Sequence, residues 1–91
     1  MKTFKAMSTQ RRINIGGDWN ATIIGLAEEL RGLADRMRQM NDRKPSDYLK
    51  QVAVNYDGAA ENVLHSVDSE PFYISVNGFT FGVVEVNDAR V

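Results

Sequence analysis

From Trp19 onward the apolar residues fall at a helical rhythm. Trp19, Ile23, Leu26, Leu30, Leu33, Met37 and Met40 are spaced four, three, four, three, four and three, which is the a/d seam of a packed helix. Ala27 and Ala34 widen that stripe, and Asp18 is a good N-cap in front of it. The spacing predicts a helix over 18–41. Glu28 with Arg31 and Asp35 with Arg38 are placed to pair at i,i+3 on its wet side. Gly25 and Gly32 lie off the seam and weaken the helix modestly, and Ile24 points away from it.

After the loop "NDRKPS", Pro45 and Ser46 signal a second helix start, with Asp47 favourable in the first turn. Leu49, Ala53, Tyr56, Ala60, Val63 and Val67 repeat at four and three, predicting a helix over 47–67. Its smaller seam suits close antiparallel packing against the first, an αα-hairpin. Asp57-Gly58 leaves a second reading open: 52–56 as a strand ending in a turn.

The period changes to two after Pro71. Asn77-Gly78 is the strongest short hairpin signal, because a type I′ turn needs positive φ at both positions. A two-residue turn sets Val76 opposite Phe79, Ser75 opposite Thr80, Ile74 opposite Phe81, Tyr73 opposite Gly82 and Phe72 opposite Val83. Phe72, Ile74, Val76, Phe79, Phe81 and Val83 then share one face, and Tyr73, Ser75, Thr80 and Gly82 the other. Turn chemistry and hydrophobic alternation agree on a β-hairpin over 72–86. Burial of the six-residue apolar face contributes roughly 9–18 kcal/mol gross, at about 1.5–3 per side chain. That assigns the phenylalanines to a core rather than to an open stacking platform for bases.

A two-stranded ribbon is marginal alone. "RRINI", Arg11–Ile15, alternates polar and apolar and is expected to supply a third strand, with residues 1–10 frayed or a short edge strand. The expected fold is a single α+β domain over 1–91 in two layers. A helical hairpin packs on a small antiparallel sheet in the order β-α-α-β-β.

Composition narrows the function classes. The chain has 91 residues, no cysteine and a net charge of −1, so disulfides, zinc–thiolate sites and cysteine nucleophiles are absent. "MKTFKAMSTQRR" lacks an apolar signal-peptide core, and no stretch approaches the ~18 apolar residues of a membrane span. The expectation is a soluble, cytoplasmic protein without membrane contact. Charge is distributed unevenly: residues 1–50 carry ten Lys/Arg and six Asp/Glu, and residues 51–91 carry one Arg and six Asp/Glu. The molecule is electrically dipolar if the two parts fold onto different faces, which would steer a charged partner. If they interleave, the fields cancel.

No arrangement for catalysis stands out. His65 is the only histidine and its neighbour Ser66 points elsewhere on a helix; Glu28 and Glu29 diverge in the same way. Glu61, His65 and Asp68 fall at i, i+4 and i+7, but a solvated acidic face accounts for them better than a metal site. "NIGGDWN" has the shape of an anion-binding corner at a helix start, yet Asp18 would repel an anion there. No metal or cofactor is expected.

The charged clusters are more suggestive. Arg36, Arg38, Arg43, Lys44 and Lys50 gather around the end of the first helix and the loop. They can complement the helix dipole, contact phosphates or dock an acidic protein. Asp57, Glu61, Asp68, Glu70, Glu85 and Asp88 form an acidic counterpart, and such a surface can imitate a row of phosphates. Tyr73 is the one hairpin aromatic left facing outward. The residues expected to contact a partner are therefore Arg36, Arg38, Arg43, Lys44, Asp57, Glu61, Glu70 and Tyr73. The expected function is non-enzymatic: a small interaction protein that binds another macromolecule, of the inhibitor or adaptor kind that phages and mobile elements encode against host proteins. A protein partner is favoured. The alternative is a nucleic-acid-binding module that uses the basic helix end and loop. Self-association through Trp19, Ile24, Met37 and Met40, or through a sheet edge, is a further expectation.

Overall fold

The computed structural model describes residues 2–86. The chain runs β1 (Phe4–Ser8), β2 (Gly16–Gly17), α1 (Trp19–Arg43), α2 (Asp47–Leu64), β3 (Phe72–Val76) and β4 (Phe79–Glu85). The strands form one antiparallel sheet in the order β2-β1-β4-β3. The two helices form an antiparallel hairpin against one face of the sheet, giving the expected two-layer α+β architecture.

The C-terminal hairpin forms as its turn dictates. Asn77 and Gly78 take φ of 53° and 85°, and every β3–β4 pair stands in the register that a two-residue turn imposes, from Val76 opposite Phe79 to Phe72 opposite Val83. Val76, Phe81 and Val83 are buried, while Phe72, Ile74 and Phe79 are half-buried against the same core.

The N-terminal part differs from the expectation. The strand beside the hairpin is Phe4–Ser8, not Arg11–Ile15, and it is a central strand paired with β4 from Phe4 opposite Glu85 to Ser8 opposite Phe81. Arg11–Ile15 returns beside it as irregular chain. Ile15 accepts a hydrogen bond from the Ala6 amide at 2.9 Å, and only Gly16 and Gly17 pair as a strand, with Lys5 and Phe4. The alternation in "RRINI" is real, since Ile13 and Ile15 both pack on the core, but it does not reflect a ladder.

α1 starts where its cap requires. The Ala21 amide donates to Asp18 Oδ1 at 2.8 Å. Trp19 is buried edge-on between Phe4 and Phe72, with ring centroids 5.0 and 6.2 Å apart. That removes Trp19 from the candidate self-association surface. Thr22 is fully buried, and its hydroxyl donates to the Asp18 carbonyl at 2.8 Å and approaches the Phe4 carbonyl at 3.3 Å. The seam then continues through Ile23, Leu26, Leu30 and Leu33, all buried, and opens at Met37 and Met40.

α2 is a helix throughout 52–56, capped by Ser46, and it ends at Leu64 rather than at Val67. The His65, Ser66 and Glu70 amides turn back onto nearby carbonyls, and Val67 is exposed. Tyr56 is the largest fully buried side chain; its ring stands edge-on to Phe81 and its hydroxyl donates to Gln10 Oε1 at 2.7 Å. Asn77 locks the hairpin to this helix: its amide group donates to the Val52 carbonyl at 3.1 Å and its oxygen accepts from Asn55 at 2.8 Å.

The helical hairpin is longer than the sheet is deep. Arg11 ties the N-terminal segment to α1 at Glu29, Asn77 ties the C-terminal hairpin to α2 at Val52, and no residue from 35 to 51 is buried. The end of α1, the turn and the start of α2 therefore project from the body, consistent with extents of 54 × 23 × 19 Å.

Candidate interaction surface

The projecting tip is an ordered structure. The Ser46 amide donates to Asn41 Oδ1 at 2.7 Å, the Lys44 amide donates to the Met40 carbonyl at 3.0 Å, and Leu49 donates to Ser46 Oγ at 3.4 Å. Asn41 and Ser46 thus satisfy backbone groups that the helix ends would leave unpaired. On this frame stand Arg43, Lys44 and Lys50, all exposed, with no ion pair among the described residues. Tyr48 is 74% exposed and Met40 49% exposed. Val54 is also exposed and, with Ala53, Asn41, Lys50 and Arg38, lines a shallow, mostly apolar depression between the two helices. Asp42 and Asp47 stand beside the cations in the chain.

The expected basic cluster is split by this geometry. Arg38 is held at the α1–α2 seam by Asp35, at 2.7 Å, and by Asp57. Arg36 and Arg43 share a different flank with Gly25, Glu29 and Gly32, as their spacing along α1 requires. Arg43 and Lys44 remain together at the tip.

Part of the expected acidic cluster is taken up by ion pairs within the fold. Asp57 pairs with Arg38, and Glu61 accepts from Arg31 at 2.7 Å. Arg31 therefore reaches across to α2 instead of pairing with Glu28. Charges from the two parts of the sequence interleave along this seam, which shortens the electrical dipole. His65 Nε2 lies 3.7 Å from the Glu61 carboxylate, while Asp68 is beyond the end of α2. No trio of His, Asp or Glu among the described residues is grouped to hold a metal ion. Asp88 lies outside the described residues.

Glu70 and Tyr73 stand apart from the tip. Glu70 is exposed in the turn before β3, with the length of α2, about 27 Å at 1.5 Å per residue, separating it from Lys44. Tyr73 is on the sheet face away from the helices, with its ring over Gly82. A Cβ at Gly82 would stand 2.7 Å from the ring and 2.6 Å from the Phe72 carbonyl. The glycine makes a seat for the aromatic, which is nonetheless 61% exposed.

Arg11 makes two hydrogen bonds of 2.7 Å to Glu29. This hydrogen bonding, reinforced by the negative charge, pushes the arginine pKa further above its ordinary value. The pair ties the return segment to α1 and plays no part at the tip.

Tyr48 was not among the residues singled out from sequence, although it lies off the α2 seam and next to the helix cap, a position that has no core to face. Among the described residues no helix is long and apolar enough to cross a membrane. The chain matches no protein-family model, no curated protein and no solved structure.

Proposed function

We propose that the protein is a non-enzymatic interaction module and that the tip of its helical hairpin is the surface that binds a partner protein. The observation that supports this reading most is the combination at the tip: Arg43, Lys44 and Lys50, without an ion pair among the described residues, around exposed Tyr48 and Met40, on a turn hydrogen-bonded through Asn41 and Ser46. Aromatic, methionine and arginine side chains are enriched in protein interfaces. Exposed cations steer an acidic partner to the surface, and the apolar side chains among them provide area to bury.

The same combination supports a second reading. Tyr48 can stack on a base while the neighbouring cations contact phosphates. Asp42 and Asp47, beside those cations, disfavour a phosphate backbone and favour a protein surface of mixed charge with acidic excess. Binding of this kind acts by occupancy, as an inhibitor or adaptor does.

The test is affinity capture from the native host with the wild-type chain and with the triple variant Arg43→Glu, Lys44→Glu, Lys50→Glu. The reading expects a partner retained by the wild type and lost by the variant, with melting temperatures unchanged. A partner held equally by both rejects the tip as the contact. Binding to single-stranded DNA or RNA that weakens steeply with added salt would instead favour the nucleic-acid reading.

A further inference from the structure

We propose that the free edge of β3 is a homodimer interface, across which two copies of this chain join their sheets in antiparallel register about Ile74. β3 is one of the two edge strands of the sheet, and among the described residues nothing pairs with its outer side. In a hairpin closed by a two-residue turn, Val76 and Phe79 form a hydrogen-bonded pair and such pairs alternate along the ladder. Phe72, Ile74 and Val76 therefore spend their amides and carbonyls on β4. The amides and carbonyls of Tyr73 and Ser75 point to the open edge.

Those two residues are symmetric about Ile74. A two-fold axis there sets Tyr73 of one copy opposite Ser75 of the other, twice, each as a hydrogen-bonded pair. Ile74 then meets its own copy, and Phe72 lies opposite Val76 at both ends. All five residues of the strand find partners in a single register, and every inward side chain stays on the core side of the joined sheet.

Charge favours a second copy as the occupant. In a two-fold interface each group meets the same patch of its twin, so an ionised residue near the axis would face a like charge. The strand Phe72–Val76 has no ionisable group except the Tyr73 phenol, and it lacks the lysine, proline or bulge that commonly guards an exposed edge. Beside it runs a groove of about 430 Å³ between α2 and β3, lined on the helix by Val54, Asn55, Gly58, Ala59 and Asn62. That wall is also uncharged, although charged residues make up 25% of the chain. A Cβ at Gly58 would meet nothing within 4 Å. Gly58 is thus unexplained within the monomer, and it leaves room for the second copy above the edge.

The test uses the complete chain in sedimentation velocity. The wild type is expected to be a dimer at micromolar concentration. Ser75→Pro removes an amide that only the dimer uses, and it is expected to weaken association about ten- to a hundredfold while leaving the folded spectrum intact. Ile74→Cys supplies a readout independent of that substitution. The chain has no other thiol, and opposed residues at a non-hydrogen-bonded position stand about 4.5 Å apart, within disulfide reach. Mild oxidation is expected to give a covalent dimer. A wild type that stays monomeric across the concentration range overturns the proposal. So does a dimer that survives Ser75→Pro, or one whose Ile74→Cys form does not cross-link.

Discussion

Gly25 and Gly32 lie seven residues apart on one flank of α1, yet their surroundings differ. A Cβ at Gly25 would collide with the γ2 methyl of Ile15, whereas one at Gly32 would meet nothing within 4 Å. Gly32→Ala is therefore expected to stabilise the protein by about 0.5–1 kcal/mol through helix propensity alone. Gly25→Ala gains the same propensity but crowds the return segment, with an expected net loss of up to about 2 kcal/mol. Urea unfolding midpoints decide the matter, and shifts of the same sign would show that Ile15 does not depend on Gly25. Phe81, fully buried beneath Tyr56, is expected to cost about 3–5 kcal/mol on truncation to alanine. A loss below about 1 kcal/mol would mean that the aromatic face is open.

The C-terminal hairpin was legible in the sequence because two independent signals, Asn77-Gly78 and the alternation around it, agree on one register. Asn77 also docks that hairpin on α2, which no local pattern reveals. Asn77→Ala loses both hydrogen bonds and leaves alanine in a left-handed conformation, an expected cost of about 2–4 kcal/mol. Thermal or urea unfolding measures it; a cost near zero would mean that the turn is not anchored to the helix. The first strand was not legible. "FKAMS" turns Ala6 inward and Met7 outward, so its hydropathy contrast is weak, and its pairing with β4 joins opposite ends of the chain. "RRINI" offered better contrast because both isoleucines reach the core from an irregular segment. The cations of the tip could be read as a set. Which of them are free could not, since the removal of Arg38, Asp57 and Glu61 into ion pairs follows from how the two helices face each other.

The whole molecule is longer than its chain length requires. Its radius of gyration is 14.4 Å, against about 12 Å expected for a globular chain of this size. The projecting helical hairpin accounts for the difference. Its seam charges are exposed, so Arg31→Ala and Arg38→Ala are each expected to cost no more than about 1 kcal/mol. Losses well above that, in urea unfolding, would make those ion pairs structural anchors. The tip is a part of the molecule where exposed cations and exposed apolar side chains stand together. Amide hydrogen exchange of the chain, alone and with the captured partner bound, tests the tip as the contact most directly. Protection is predicted to concentrate in residues 36–50. Protection confined to the outer sheet face around Tyr73, with the tip exchanging as it does in the free chain, would contradict the account.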